Sequence, residues 1–298
     1  MIINQQSLQS LFTGFGASFK KGFDGAESHY RDVAMVVPSA TRQNNYGWLG
    51  QFPKIREWIG DRVVKNLSAS SYVVVNRMFE STVSVPRTSI EDDQFGVFSP
   101  IVEEMGKAAA EFPDEMIFGL LKAGFQTLCF DGQYFFDIDH PVFDPAQNTM
   151  VMVSNMQAGA GPAWFLLDTS RAMKPMLYQE RSSYTMTQLI NDGDQNVFFR
   201  DEYIYGTRGR SNAGFGLWQL AFASKAALTA ANYAAARAQM MNLRGDEGRI
   251  LGITPTLLVV PPALEEAGRT LLGSALLSGG GTNPWAGSAE LLTTPWVS

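Results

Sequence analysis

Across residues 98–125 the apolar side chains Phe98, Ile101, Met105, Ala108, Phe112, Met116 and Leu120 follow one another in steps of three and four. That spacing puts them on one face of an α-helix, and Val102, Ala109, Ile117 and Leu121 widen the stripe. Ser99 suits the N-cap, Pro100 the first helical position, and Glu103 and Glu104 the positive end of the helix dipole. Lys122 and Gly124 mark the stop. At 1.5 Å per residue such a helix spans roughly 40 Å, about the width of a small domain. Pro113 removes a backbone donor, which predicts a kink or break there, with Asp114 and Glu115 in a renewed first turn. A spine this long, with an apolar side and little catalytic chemistry on it, points to a scaffold.

The 298 residues suffice for one large domain or two ordinary ones. Hydrophobic residues make up 45% and charged residues only 17%, while aromatics reach 12% with 20 Phe. Few charges and many aromatics fit a chain that buries surface against copies of itself. Lys plus Arg number 23 against 29 Asp plus Glu, a net charge of −6. This does not favour a dedicated DNA binder, whose affinity comes from neutralising phosphates. It suits a protein that lies beside nucleic acid without adhering to it. The single cysteine, Cys129, excludes an intrachain disulfide framework and a Cys-based zinc site. The longest apolar candidate for a membrane span, 254–277, is broken by Pro261, Pro262, Glu265, Glu266 and Arg269. With no basic-then-apolar leader either, a cytoplasmic protein is expected.

Residues 1–40 form a polar, glycine-spaced arm with Leu8, Leu11, Phe12, Phe15, Phe19 and Phe23 at near-helical spacing, flanked by Lys20 and Lys21. A membrane-surface helix would use such a stripe. Gly14, Gly16 and Gly22 weaken a free helix, however, and no broad cationic face accompanies it. An arm that becomes ordered against another part of an assembly is the better expectation. Residues 41–66 interleave Tyr46, Trp48, Phe52 and Trp58 with Arg42, Lys54, Arg56, Arg62 and Lys65. Such a mixture can stack on and neutralise single-stranded nucleic acid, although Glu57 and Asp61 weigh against it. Tyr, Trp and Arg also dominate protein interface energetics. An extended arm or hairpin lying on a neighbour is expected, with Tyr46, Trp48, Phe52, Arg56, Trp58 and Arg62 at the subunit interface. Over 71–87 the period drops to two, with Val73, Val75, Phe79, Val83 and Val85 on one face, as in a half-buried strand.

Residues 129–141 read CFDGQYFFDIDHP. Asp137, Asp139 and His140 are suitable metal-ligand types, but no HExxH or second His cluster supports them. A turn in which Asp accepts from backbone donors is the simpler reading. Short strands are expected at 163–167, 176–178, 184–190, 196–205 and 215–222, with a hairpin signal at Asn191-Asp192-Gly193-Asp194. The stretch GTRGRSNAG at 206–214 lacks the phosphate-loop spacings and reads as a basic turn. Thr229 is placed to cap an Ala-rich helix running to Leu243. A buried strand at 256–260, a helix at 263–272 and a last strand at 290–293 complete a compact α/β unit. No GxSxG elbow occurs, and Cys129 has no adjacent His. An enzyme reading therefore rests on Asp137, Asp139 and His140 alone, as a metal-dependent hydrolase. No catalytic residue, cofactor or metal is expected.

The runs NNYGWLGQFPKIREWIGDR (44–62), FESTVSVPRTSIEDDQFGVFSPIVEEMGKAAAEFPDEMIFGLLKAGF (79–125) and CFDGQYFFDIDHP (129–141) together resemble the major head subunit of Mu-like phages and prophages. WFLLDTSRAMKP (164–175), the long run 232–272 and NPWAGSAELL (283–292) extend the resemblance over nearly the whole chain. It implies an α+β fold of the Hong Kong 97-type capsid class. The N-terminal arm would be 1–40 and the extended loop 41–75. The peripheral domain would be 76–224, with the spine helix at 98–125, and the axial domain 225–298.

The function implied is a major capsid protein that self-assembles as hexamers and pentamers into an icosahedral head enclosing phage DNA. Sequence-specific DNA binding and a membrane are not implied. Assembly would take place in the bacterial host cytoplasm, and the product would be the virion capsid. Implied partners are a scaffold, a maturation protease, a portal and a decoration protein. Crosslinking through Lys54 or Lys65, known in one branch of the fold, is not expected. A nanocompartment shell enclosing protein cargo is the same-fold alternative. Physically, a shell subunit needs several heterologous contacts that close around symmetry axes. Interfaces below the roughly 1,600 Å² of a stable pair suffice when many copies act together.

Overall fold

The computed structural model describes residues 5–49, 72–92, 97–245, 248–276 and 280–298. The chain opens with α1 (Gln5–Gly25), then α2 (Tyr30–Val33) and strand β1 (Ala34–Pro38). β2 (Gln43–Asn45) and β3 (Val73–Val75) pair antiparallel, and β4 (Arg77–Pro86) and α3 (Arg87–Glu91) lead towards the spine helix α4 (Ser99–Lys122). β5 (His140–Asp144) and β6 (Thr149–Val153) form a hairpin, followed by β7 (Met156–Gln157) and β8 (Trp164–Leu167). The long strands β9 (Met176–Leu189) and β10 (Glu202–Phe215) are separated by α5 (Gln195–Arg200). β11 (Ala221–Ser224), α6 (Ala230–Met241), β12 (Leu257–Val260), α7 (Glu265–Gly273) and β13 (Glu290–Thr293) complete the fold. Among the described residues no helix is long and apolar enough to cross a membrane.

Two main sheets result. One has the order β1-β9-β10-β4, with β1 parallel to β9 and the other pairs antiparallel. The other has the order β13-β12-β8-β11-β7. The expected division between 224 and 225 runs through this second sheet. β8 pairs with β12 as well as with β11, so strands from both sides of that point share one set of hydrogen bonds.

α4 forms over the expected stretch and ends in a 3-10 turn at Ala123–Phe125. Ser99 is its first residue, and Phe98 rather than Ser99 occupies the N-cap position. The helix runs through Pro113 without a break, so no renewed first turn exists there. Asp114 acts elsewhere: its buried carboxylate accepts from Ser28 Oγ at 2.8 Å, His29 N–H at 2.9 Å and Tyr30 N–H at 2.6 Å. It thereby satisfies the free donors at the start of α2 and pins that segment to the middle of the spine.

Residues 5–40 are ordered against their own subunit. Leu8, Leu11, Phe15 and Phe19 of α1 are buried, each gaining about 1.5–3 kcal/mol of apolar burial. That outweighs about 1 kcal/mol lost for each helical glycine. Two glycines make the contact possible. A Cβ at Gly22 would collide with the Glu103 carbonyl, and one at Gly106 with the Phe19 carbonyl. Lys21 adds an ion pair to Glu103 at 2.9 Å.

Several local expectations change. The segments expected at 176–178 and 184–190 are one strand, β9; its first residues are buried and its second half alternates, which disguises the continuity. Residues 196–205 divide into α5 and the start of β10, turning at Asp201 with φ 53°. The supposed basic turn at 206–214 is the interior of β10. Its Gly209 lies against the Tyr184 ring, 2.9 Å from where a Cβ would stand, beside the register shifts at Arg208 and Arg210. At 215–222 a 3-10 turn, Trp218–Leu220, precedes β11. The period-two face holds in β4, where Val85 is buried, but inverts in β3, where Val74 is buried and Val73 and Val75 are exposed. Asn76 separates the two phases. The Thr229 cap is present, accepting from Asn232 N–H at 3.3 Å, and β12 and β13 form within the expected stretches.

Buried side chains gather in two clusters. Ile117, Phe118 and Leu121 of α4 join Met176, Leu177, Phe215 and the five-stranded sheet in the larger one. Val102, Met105 and Ala109 join α1, Ile90, Tyr203 and Tyr205 in the smaller. Gly106→Val should lower subunit stability by about 1–3 kcal/mol in urea unfolding, through overpacking at the helix crossing. Gly14→Ala, where a Cβ meets nothing within 4 Å, should instead stabilise by up to about 1 kcal/mol.

Candidate assembly surfaces

The root of the extended segment is the β2–β3 pair, with Gln43 opposite Val75 and Asn45 opposite Val73. Tyr46 N–H donates to the Tyr72 carbonyl at 2.8 Å, continuing the pairing. Of the six expected interface residues, Phe52, Arg56, Trp58 and Arg62 lie outside the described residues. Tyr46 is only 2% exposed and its hydroxyl donates to Gln179 Oε1 at 2.8 Å, so its ring is engaged within its own subunit. Trp48 stands half-buried at the edge of that ring, with centroids 6.1 Å apart.

Asp137, Asp139 and His140 do not converge. His140 turns inward, completely buried, with Nδ1 2.7 Å from Asp131 Oδ2 and its ring stacked 3.9 Å from Trp218. Asp137 accepts from the N–H groups of Tyr134 and Ile138, the expected turn chemistry. Asp139 stays at the surface, its carboxyl raised above the usual aspartate range chiefly by a hydrogen bond shared with Asp137. The three residues of the hydrolase alternative thus form no common site.

The groups that do meet are Cys129, Asp131 and His140, whose ligand-type atoms lie within 4.8 Å of one another. The Cys129 thiol donates to Asp131 Oδ1 at 3.1 Å, so one carboxylate serves both neighbours and ties the 129–140 loop to the core. Burial, assisted by the adjacent carboxylate, pushes the Cys129 thiol up, the opposite of what a nucleophile needs.

Large apolar side chains remain at the surface. Phe198 and Phe199 of α5 are 75% and 76% exposed and stack edge-to-face at 5.0 Å. Val97 and Ile101, around the start of α4, are also exposed. Sequence reasoning placed 196–205 in a strand and missed this patch. The signal was two adjacent Phe between a polar turn and Arg-Asp, since neighbours in a helix point about 100° apart and a single short turn offers only a narrow buried face.

Burial opposes ionisation of Asp131, yet hydrogen bonds from His140 and Cys129 hold its carboxyl below the ordinary 3.8. A carboxylate lowered in the folded state contributes stability that is present above the ordinary value and lost as pH falls through the folded one. Asp131→Asn should therefore flatten the acid limb of subunit stability below pH 3.8, measured by urea unfolding across that range.

A family model described as the Mu-like prophage major head subunit gpT matches residues 8–297. The Mu-like prophage FluMu major head subunit of Haemophilus influenzae is 46% identical over 271 residues, covering 89% of this chain and 88% of the relative. The major capsid protein of Escherichia phage Mu is 40% identical over 305 residues, covering all of both chains. The subunit in the procapsid of bacteriophage JBD30 has a TM-score of 0.88 at 47% identity, covering 99% of this chain and all of that one. A chain in the JBD30 capsid decorated with minor capsid protein trimers has a TM-score of 0.76 at 34% identity, over 90% of each.

Proposed function

This chain belongs to the Mu-like prophage major head subunit family, and from that premise we propose how its surfaces build a shell. It is a structural capsid protein of the Hong Kong 97-type fold, a subunit of an icosahedral phage head and not an enzyme. The observation that carries this is agreement with a procapsid subunit over 99% of the chain, at 47% identity.

In the proposed arrangement the subunits cluster as hexamers and pentamers. The four-stranded sheet with α4 is the peripheral part, and the five-stranded sheet with α6 and α7 is the axial part. The segment between β2 and β3 reaches onto a neighbouring copy, with Trp48, Phe52, Arg56, Trp58 and Arg62 supplying the contact. Tyr46 anchors the root instead. The exposed Phe198–Phe199 pair is a second contact with a neighbouring copy, since two solvated aromatic rings are surface that a tiled subunit gains by covering. Arms and loops suit this task because the same contact must close around axes of different order.

A scaffold, a maturation protease and a portal belong to the proposed assembly, which takes place in the host cytoplasm. A trimeric decoration protein is proposed by analogy with the decorated relative. The head encloses DNA, and the net charge of −6 limits adhesion to it. Trp58→Ala and Arg56→Glu should each reduce shell formation, counted by negative-stain microscopy after co-expression with the scaffold. Thermal unfolding of the unassembled subunit should change little. Normal particles from both variants would remove the interface role of this loop.

A further inference from the structure

Gln179 lies on β9 within the four-stranded sheet and is completely buried. A buried amide is costly unless its donors and acceptor are satisfied, and here every bond goes to the root of the extended loop. Its Oε1 accepts from the Tyr46 hydroxyl at 2.8 Å, on the outgoing leg. Its Nε2 donates to the Val74 carbonyl at 3.1 Å and to Asn76 Oδ1 at 2.7 Å, on the returning leg. Asn76 carries the network onward: its Nδ2 donates to Ser39 Oγ at 2.8 Å and to the Thr41 carbonyl at 2.9 Å. β10 adds two more ties, from Asn212 Nδ2 to the Val75 carbonyl at 2.7 Å and from Phe215 N–H to the Tyr72 hydroxyl at 2.8 Å.

One side chain in the sheet therefore holds both legs of the loop at once. A hydrophobic residue in this position would fill the space without fixing where either leg leaves. A fully satisfied buried polar network fixes a geometry because each bond is directional and expensive to leave unmade. We propose that Gln179 is a positioning residue for shell assembly, fixing the two legs at Tyr46 and Val74 and hence where the loop between them lands on the next copy. This rests on the reading that the loop grips a neighbour.

The test compares Gln179→Leu and Tyr46→Phe with Asn155→Leu and Trp58→Ala, each in the full chain co-expressed with the scaffold. Asn155 is a buried amide whose bonds, to the Phe135 carbonyl and from Asp137 N–H, lie away from the loop root. It therefore reports on lost stability alone. Unfolding midpoints of the unassembled subunits are measured beside particle yield and diameter by electron microscopy. Gln179→Leu and Tyr46→Phe should raise the subunit concentration needed for assembly about tenfold, equivalent to ~1.4 kcal/mol, and broaden the diameters. Asn155→Leu, though destabilised, should give particles of normal diameter. The same broadening from Asn155→Leu at matched stability would overturn the positioning role. Normal shells from the Gln179 and Tyr46 variants beside failed shells from Trp58→Ala would overturn it too, leaving the gripping loop intact. Normal shells from all three would overturn both.

Discussion

The side-by-side run of α4 with the β9–β10 pair is the constraint on which the rest of the subunit depends. The helix supplies Val102, Met105 and Ala109 to one buried cluster and Ile117, Phe118 and Leu121 to the other. The two strands do the same, with Tyr203 and Tyr205 in the first and Met176, Leu177 and Phe215 in the second. Two cores strung on the same three elements cannot shift independently, because close-packed side chains transmit displacement along a rigid helix. Asp114, buried midway along the spine, fixes α2 and so the start of β1 to that frame. The frame is therefore stiff where the chain must hold its shape, and the root of the β2–β3 segment is tied to it through Gln179.

What was legible in the sequence was what is local. A helical stripe over two dozen residues predicts α4 because the pattern belongs to the element itself. The Thr229 cap, the all-apolar β12 and the last strand carry their signals within a few residues. Of the kink or break expected at Pro113, the break assumes that the helix stands alone, whereas here packing on both sides holds it continuous. The glycines of 206–214 read as a turn because glycine usually marks one. In β10 Gly209 instead makes room for Tyr184, a partner on the neighbouring strand.

The contact surfaces show the same divide. The mixture of aromatic and basic residues at 41–66 is the basis in composition for the interface proposed there. That Tyr46 points home was not legible, because its partner Gln179 lies 133 residues away. Nor was the inward turn of His140, decided by Asp131 and by stacking on Trp218. Long-range partners of this kind select among local options that sequence periodicity leaves equal.

Subunit stability and shell stability are thus carried by different groups. The two cores and the loop-root network make a fixed building block, whereas the joints are proposed to come from the exposed aromatics and the loop between β2 and β3. Weak joints are sufficient, because in a closed shell each subunit is held by several at once. Sedimentation of the purified chain with its assembly helpers, under native conditions, tests this most directly. Closed shells sedimenting as one large species are expected, in equilibrium with a folded subunit. A chain that remained as single molecules at every concentration, while turning over a small substrate, would contradict it.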